Sequence, residues 1–409
     1  MASATSTESP LDAIPVAPPD PILGLLEAFQ KDARSDKINL SVGVYQNESG
    51  RTPTLECVRR AEAKLLESGE GHGYLGIDGH PAFVARARRL VFGADAEPGG
   101  PLADRLAVAQ TPGGTAALRV AADFLHAQFP SSRVWLSQPT WVNHAKIFQS
   151  AGFPIGEYPY FDARSHGLDL DRMLDALGQA GPRDIVCLHA CCHNPTGVDP
   201  SAAEWERIAD ILRDRNLIPV VDFAYQGFGD GLDEDSAGLN RLVAHGLELV
   251  VCGSYSKNFG LYGERVGAVA VRARTPRGAG AALSQIKSAI RANYSSPPRH
   301  GAAIVATILN DAELDALWRD EVVGMRRRIR AMRELFVRSL AEHGVDQDFS
   351  FLLKQRGMFS FSGLNRMQVD ELRSRHAIYI VDNGRINVAG MTTATMDRLC
   401  RAIASVLAS

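Results

Sequence analysis

The hydrophobic pattern changes period along the chain. Short, near-continuous apolar runs recur at Leu106–Gln110, Arg133–Ser137, Ile185–His189, Ile218–Asp222, Val250–Ser254 and Val266–Val271. Helical spacing fills several of the intervals, at Ala116–Gln128, on to Phe148 after Trp141, and at Ser201–Arg215. Buried strands alternating with helices predict an α/β fold with a mostly parallel sheet covered on both faces. Ser137, His189, Asp222 and Ser254 end their runs and so fall at the carboxyl edge of that sheet, where open α/β sheets bind ligands.

The flanks read differently. Before the first run, the pattern predicts a helix over Ile22–Phe29 behind an Asp-Pro start signal, and a short strand over Lys37–Tyr45. A turn at Asn47–Gly50 and helices over 54–68 and Pro81–Phe92 follow. The glycine-rich stretch from Gly69 to Gly79 between those two helices reads as a functional loop. After the last run, one long helix is expected from Asp311 to His343. A mixed unit then holds strands at Met358–Ser362, Ile378–Val381 and Arg385–Val388, a helix over Arg366–His376 and a closing helix. We therefore expect a tail over 1–18, an arm over 19–52 shared with a small domain, a large domain over 53–324 and the small domain's remainder over 325–409. The arginines at 326–328, 330 and 333 resemble a phosphate patch; on so long a helix they also read as a solvated or interface face.

Composition narrows the class. Of 409 residues, 45% are hydrophobic and 22% charged, with a net charge of −3. That excludes bulk basicity as a route to nucleic acid or anionic membrane. No apolar run reaches the length of a membrane span. The N-terminus lacks the basic and apolar segments of a secretory signal. Six cysteines without paired spacing suggest a reducing, cytoplasmic setting. Cys191-Cys192-His193 has no second cluster at ligand spacing, so buried thiols are expected there and no metal.

Chemistry gathers at the strand ends. Lys257 stands between two apolar runs, where desolvation lowers an amine's pKa and suits it to Schiff-base chemistry. The alternative is a loop lysine. Gly113-Gly114-Thr115 before a helix offers free amides to an anion, and Ser254, Ser256 and Arg265 flank Lys257. Asp222 ends an apolar strand as either a loop cap or a partner for a protonated ring nitrogen. Tyr225 follows, and Trp141 is either a core residue or a stacking surface for a flat ring. A Schiff-base lysine, a carboxylate for a ring nitrogen, a phosphate cup and a stacking aromatic together describe a pyridoxal phosphate site.

Residues 20–25, 37–45, 74–79, 111–115, 191–197, 222–228, 254–267, 289–298 and 384–391 carry a resemblance to class I aminotransferases, in the branch of the aspartate and aromatic amino acid enzymes. The resemblance implies a fold type I pyridoxal phosphate enzyme with a mostly parallel seven-stranded sheet in its large domain and a smaller α/β domain. It implies that Lys257 forms the internal aldimine and moves the proton in a ping-pong transamination. Asp222 would hold the ring nitrogen protonated with His144 behind it, and Tyr225 and Asn194 would bond the ring oxygen. Gly114, Thr115, Ser254 and Arg265 would hold the phosphate, and Trp141 would stack on the ring. Arg385 would bind the substrate α-carboxylate near Gly43. Tyr74 and Arg291 would come from the second subunit of a homodimer, Arg291 for a distal carboxylate.

The implied reaction exchanges the amino group between L-aspartate and 2-oxoglutarate, with an aromatic amino acid aminotransferase as the alternative. Val44, Thr52 and Thr115 resemble the aspartate enzymes, Gly263 and Ser296 the aromatic ones, and Gln46 and Gly73 neither. Two arginines for two carboxylates argue against decarboxylation or β-elimination on the same fold. Retention of Lys257, Asp222 and Arg385 argues against a non-catalytic relative. No Gly-x-Gly-x-x-Gly follows the first strand, which argues against a nicotinamide enzyme.

Overall fold

A computed structural model describes residues 9, 11–18, 20, 22–69 and 71–408. Residues 1–8 and 10 of the expected tail lie outside the described residues, as do Pro19 and Pro21 of the helix start signal. Asp20 still acts as a cap: its Oδ1 accepts the amides of Ile22 (2.9 Å) and Leu23 (3.0 Å) at the start of the Leu23–Lys31 helix.

The central sheet has seven strands in the order Leu106–Pro112, Val266–Arg272, Leu249–Ser254, Ile218–Phe223, Ile185–His189, Val134–Gln138 and Ile155–Pro159. Val266–Arg272 runs antiparallel to both neighbours; the other pairings are parallel. Ile185–His189, Leu249–Ser254 and Val266–Arg272 are wholly buried and Ile218–Phe223 all but its first residue, which is why they read as unbroken apolar runs. Val266–Arg272 and Leu249–Ser254 are antiparallel neighbours, so the Lys257 segment joins them at one end. Asp222 pairs with His189 on one side and Cys252 on the other, placing these strand ends side by side.

Several expectations change in detail. The first strand, expected to end at Gln110, runs through Pro112, and the helix expected from Ala116 begins at once at Gly113. The edge strand Ile155–Pro159 and the helices Leu170–Gly178, Ala237–Ala244, Pro276–Asn293 and His300–Asn310 had no counterpart in the pattern. The strand expected over Lys37–Tyr45 shrinks to Ile38–Asn39, paired in parallel with Ile378–Tyr379. Beyond it, side chains take the backbone carbonyls. Arg385 bonds Ser41 O (2.6 Å), and Asn387 bonds Val42 O (2.7 Å) and Val44 O (2.8 Å).

The Ala312–Glu342 helix links the sheet unit to the C-terminal elements. Asp311 caps it by accepting the amides of Glu313 (3.0 Å) and Leu314 (3.1 Å). Trp318 on this helix is fully buried, stacks on Phe259 at 4.5 Å and donates to Asn258 O at 2.8 Å. The long helix thereby grips the segment that carries Lys257.

Candidate active site

A cavity of about 350 Å³ opens at the carboxyl edge of the sheet. It is lined by Gly43, Gly114, Thr115, Trp141, Asn194, Asp222, Tyr225, Ser254, Lys257, Arg265 and Arg385. These are eleven of the fourteen residues given a role from the sequence; His144 lies behind Asp222 rather than on the wall. The other two, Tyr74 and Arg291, do not reach it within one chain. Tyr74 is 98% exposed and lines a separate cavity of about 920 Å³ with Tyr294, Ser296 and Arg299. Arg291 is exposed on the Pro276–Asn293 helix, its Nη1 bonded to Ser295 Oγ.

Lys257 is half-buried, and its Nζ sits 4.6 Å from the centre of the Tyr225 ring. Desolvation pulls its pKa down to about 8; the Asp222 carboxylate opposes this, while Arg265 and Arg385 reinforce it. Asp222 is buried one residue before the end of its strand, where burial favours the neutral acid. A bond from its Oδ2 to His144 Nε2 (3.1 Å) and the nearby Lys257 outweigh that, and the carboxyl is held below its usual range. His144 is itself pinned by Thr140 Oγ1 at its Nδ1 (2.8 Å). Burial disfavours the imidazolium, but the Cys187 thiol and Asp222 raise its pKa to about 10. The result is a fixed carboxylate facing the cavity.

Three features form an anion cradle. Gly113 has φ +81°, and a Cβ there would lie 2.3 Å from Arg265 Nη2. Only glycine lets the guanidinium lie across the start of the helix. A Cβ on Gly114 would meet Ser254 Cβ at 2.9 Å. The first turn of the Gly113–Gln128 helix, with its free amides, thus lines the same cavity as Thr115, Ser254 and Arg265. Trp141 stands at the wall, edge-on to His144 at 5.3 Å.

Arg385 forms a second anion site. It is 4% exposed, lies over the Phe359 ring at 4.2 Å and bonds Asn194 Oδ1 (3.2 Å) and Ser41 O (2.6 Å). No carboxylate pairs with it among the described residues, and its Nε is buried without a partner. Burial lowers its pKa to about 10, which leaves it cationic. A buried, unpaired guanidinium is costly unless an anion joins it.

Sequence reasoning missed Asp20, Tyr262 and Phe359, which also line the cavity. Asp20 and Tyr262 sat inside quoted motifs without a role. Phe359 lay in a predicted strand whose partner, Arg385–Asn387, brings it to the site. Of the histidines behind Asp222, His144 stands where the resemblance implied, while His189 was legible only as a strand end. His189 lies 4.4 Å from His193, with both of its ring nitrogens buried and unpartnered among the described residues. Burial holds it neutral. Cys191 and Cys192 approach Asp235, but burial raises both thiols, that of Cys192 to about 12, and the Asp235 oxygens already accept four backbone amides. That is not the donor set of a metal centre.

The site fits a planar, phosphorylated aldehyde: an amine, a fixed carboxylate, an anion cradle and an aromatic wall surround one cavity. Known proteins of similar sequence and fold agree with this. The chain is 51% identical to the aspartate aminotransferase of Escherichia coli K12 over 396 residues, covering 96% of this chain and 99% of that protein. It is 46% identical to the aromatic-amino-acid aminotransferase of the same strain over 393 residues, covering 95% and 98%. Its fold matches the crystal structure of the Burkholderia pseudomallei aromatic-amino-acid aminotransferase covalently bound to pyridoxal phosphate. There the TM-score is 0.94 at 48% identity, covering 98% of this chain and 100% of the other. The family model for aminotransferase class I and II matches residues 35–403, and the chain belongs to that family of enzymes.

Proposed function

We propose that this enzyme transfers the amino group reversibly between L-aspartate and 2-oxoglutarate, with pyridoxal phosphate as cofactor. The carrying observation is that Lys257, Asp222 and the unpaired Arg385 open on one cavity beside the Arg265 cradle. When bound, the cofactor supplies an aldehyde that condenses with amines and a ring that draws electrons from the substrate Cα.

The chain's own residues supply the rest. The Gly114, Thr115, Ser254 and Arg265 cradle takes the phosphate, and Trp141 lies against the ring. Asp222 accepts a hydrogen bond from a protonated ring nitrogen. Tyr225 OH, 3.5 Å from Asn194 Nδ2, bonds the ring oxygen. Arg385 grips the substrate α-carboxylate with Asn194, beside Gly43. Lys257 Nζ, with its lowered pKa, would take the proton from the substrate Cα and deliver it to the carbon on the other side of the bridging nitrogen.

Tyr74 and Arg291 are assigned to the partner subunit's site, making the enzyme a homodimer with shared active sites. Their absence from this chain's own cavity supports that reading. The pairing of Ile38–Asn39 with Ile378–Tyr379 supports a small domain built from 19–52 and 325–409, beside a large domain over 53–324. Small amino and oxo acids are the partners. No helix among the described residues is long and apolar enough to cross a membrane, and six free buried cysteines suit a reducing cytoplasm.

An aromatic substrate is the second reading, since relatives of both names match over nearly the whole chain. Ranking amino donors against 2-oxoglutarate by kcat/KM separates the two. Aspartate ahead of phenylalanine and tyrosine is expected, and Arg291→Ala should depress aspartate turnover far more than phenylalanine turnover. Borohydride should fix the cofactor to the peptide holding Lys257; failure there would overturn the mechanism.

A further inference from the structure

The arginine run of the long helix is not consumed by the active site. It faces a separate cavity of about 750 Å³ between that helix, the Phe228–Asp230 loop and the turn over Leu353–Gly357. Six cations line it, Arg326, Arg327, Arg330, Arg333, Lys354 and Arg356, against two carboxylates, Asp230 and Glu334. Arg356 pairs with Asp230 at 2.8 Å and Arg330 with Glu334 at 3.3 Å. The other four have no carboxylate partner among the described residues.

The floor of this cavity is the unusual part. Arg333 is 4% exposed, yet among the described residues it bonds only the carbonyls of Gly357 (2.7 Å) and Phe359 (3.4 Å) and Ser360 Oγ (3.3 Å). Carbonyls hold and orient the guanidinium without neutralising it. Arg326 is held likewise by Gly227 O at 2.8 Å. Arg326, Arg330 and Arg333 stand at i, i+4 and i+7 on one helix face, where like charges repel. Burial lowers the Arg333 pKa only to about 10, so it stays charged. Two held guanidinium groups, Arg326 and Arg333, with the exposed Arg327 and Lys354 beside them, leave four cations without a carboxylate, which calls for an anion with several charges.

We propose that this cavity is a binding site for a compact polyphosphate group, such as the di- or triphosphate of a small metabolite. A dicarboxylate carries too little charge to answer four unpaired cations. The recessed floor admits a small ligand, and a net charge of −3 on the whole chain disfavours a long nucleic acid. An occupant would tie three segments together, so it should stabilise the folded state by mass action.

The test uses cofactor-loaded, full-length enzyme, so that the cradle at Arg265 is already filled. Tripolyphosphate is titrated by calorimetry, with inorganic phosphate, sulfate and a short oligonucleotide as comparisons. Saturable binding of one tripolyphosphate per chain is expected, with a rise in Tm and weakening by added salt. The double variant R327Q/R330Q changes two exposed side chains, and Lys354→Gln a third. Each should weaken tripolyphosphate by about tenfold or more while leaving transamination without polyphosphate unchanged. No binding by the wild type, or equal binding by the variants, would overturn the proposal. So would equal competition by sulfate, an adventitious ion only, or an oligonucleotide that tripolyphosphate cannot displace.

Discussion

At Lys257 two forces oppose each other. Burial and the nearby Arg265 and Arg385 expel a proton, while Asp222 retains it, and the balance falls near 8. An ordinary lysine amine is neutral only above about 10.4. In cofactor-free enzyme, the rate of Lys257 modification by an aldehyde should therefore rise with pH to a midpoint near 8. Below that pH the ammonium is unreactive. Asp222→Asn removes the one influence that raises the pKa, so the midpoint should move lower. A midpoint near that of a free amine, or an upward move in the variant, would contradict the assignment. Arg385 gives a second prediction at this scale. Its two nitrogens are already held by Asn194 and Ser41, leaving a fixed fork for a carboxylate. Arg385→Lys keeps the charge and loses the fork. One charged hydrogen bond is worth about 1.5–3 kcal/mol, so kcat/KM should fall roughly 10- to 150-fold. An unchanged kcat/KM would place the α-carboxylate elsewhere.

At the scale of elements, legibility depended on how much of an element's pattern was local. The helices Pro81–Phe92 and Arg366–His376 and the strand Ile185–His189 match expectation end to end. Each carries its own signal: proline at the first turn, an Asn365 capping box, or an unbroken apolar run. The segment after Asn39 misled because its alternation persists while its carbonyls pair with Arg385 and Asn387, which are distant in sequence. The His300–Asn310 helix is buried on nearly every side and has no polar face to reveal its period. Local pattern likewise could not show that Trp318 clamps the Lys257 segment. Trp318→Ala should cost about 3–5 kcal/mol and visibly lower Tm in denaturation. Trp318→Phe keeps a ring on Phe259 but leaves Asn258 O without its donor, so it should cost about 1–3 kcal/mol. If both variants melt alike, the hydrogen bond and not the stack carries the clamp.

At the scale of the molecule, the two selected residues that miss the cavity are the informative ones. Tyr74 projects 98% exposed from a glycine-rich loop, and Arg291 sits exposed on the Pro276–Asn293 helix. Both were legible as residues and illegible as geometry, because a single chain's pattern says nothing of what a second copy contributes. If Arg291 serves the partner's site, two damaged chains can repair each other. Lys257→Ala leaves a chain with no catalytic amine and an intact Arg291. Arg291→Ala leaves the reverse. In a hybrid dimer, one site combines the good lysine of one chain with the good arginine of the other, and the second site has neither. Random remixing makes half the dimers hybrid, so aspartate turnover should recover to about a quarter of wild type. Neither variant alone should approach that level. Were Arg291 to act within its own chain, the hybrids would hold only one lysine-deficient and one arginine-deficient site, and mixing would yield no more than the average of the two parents.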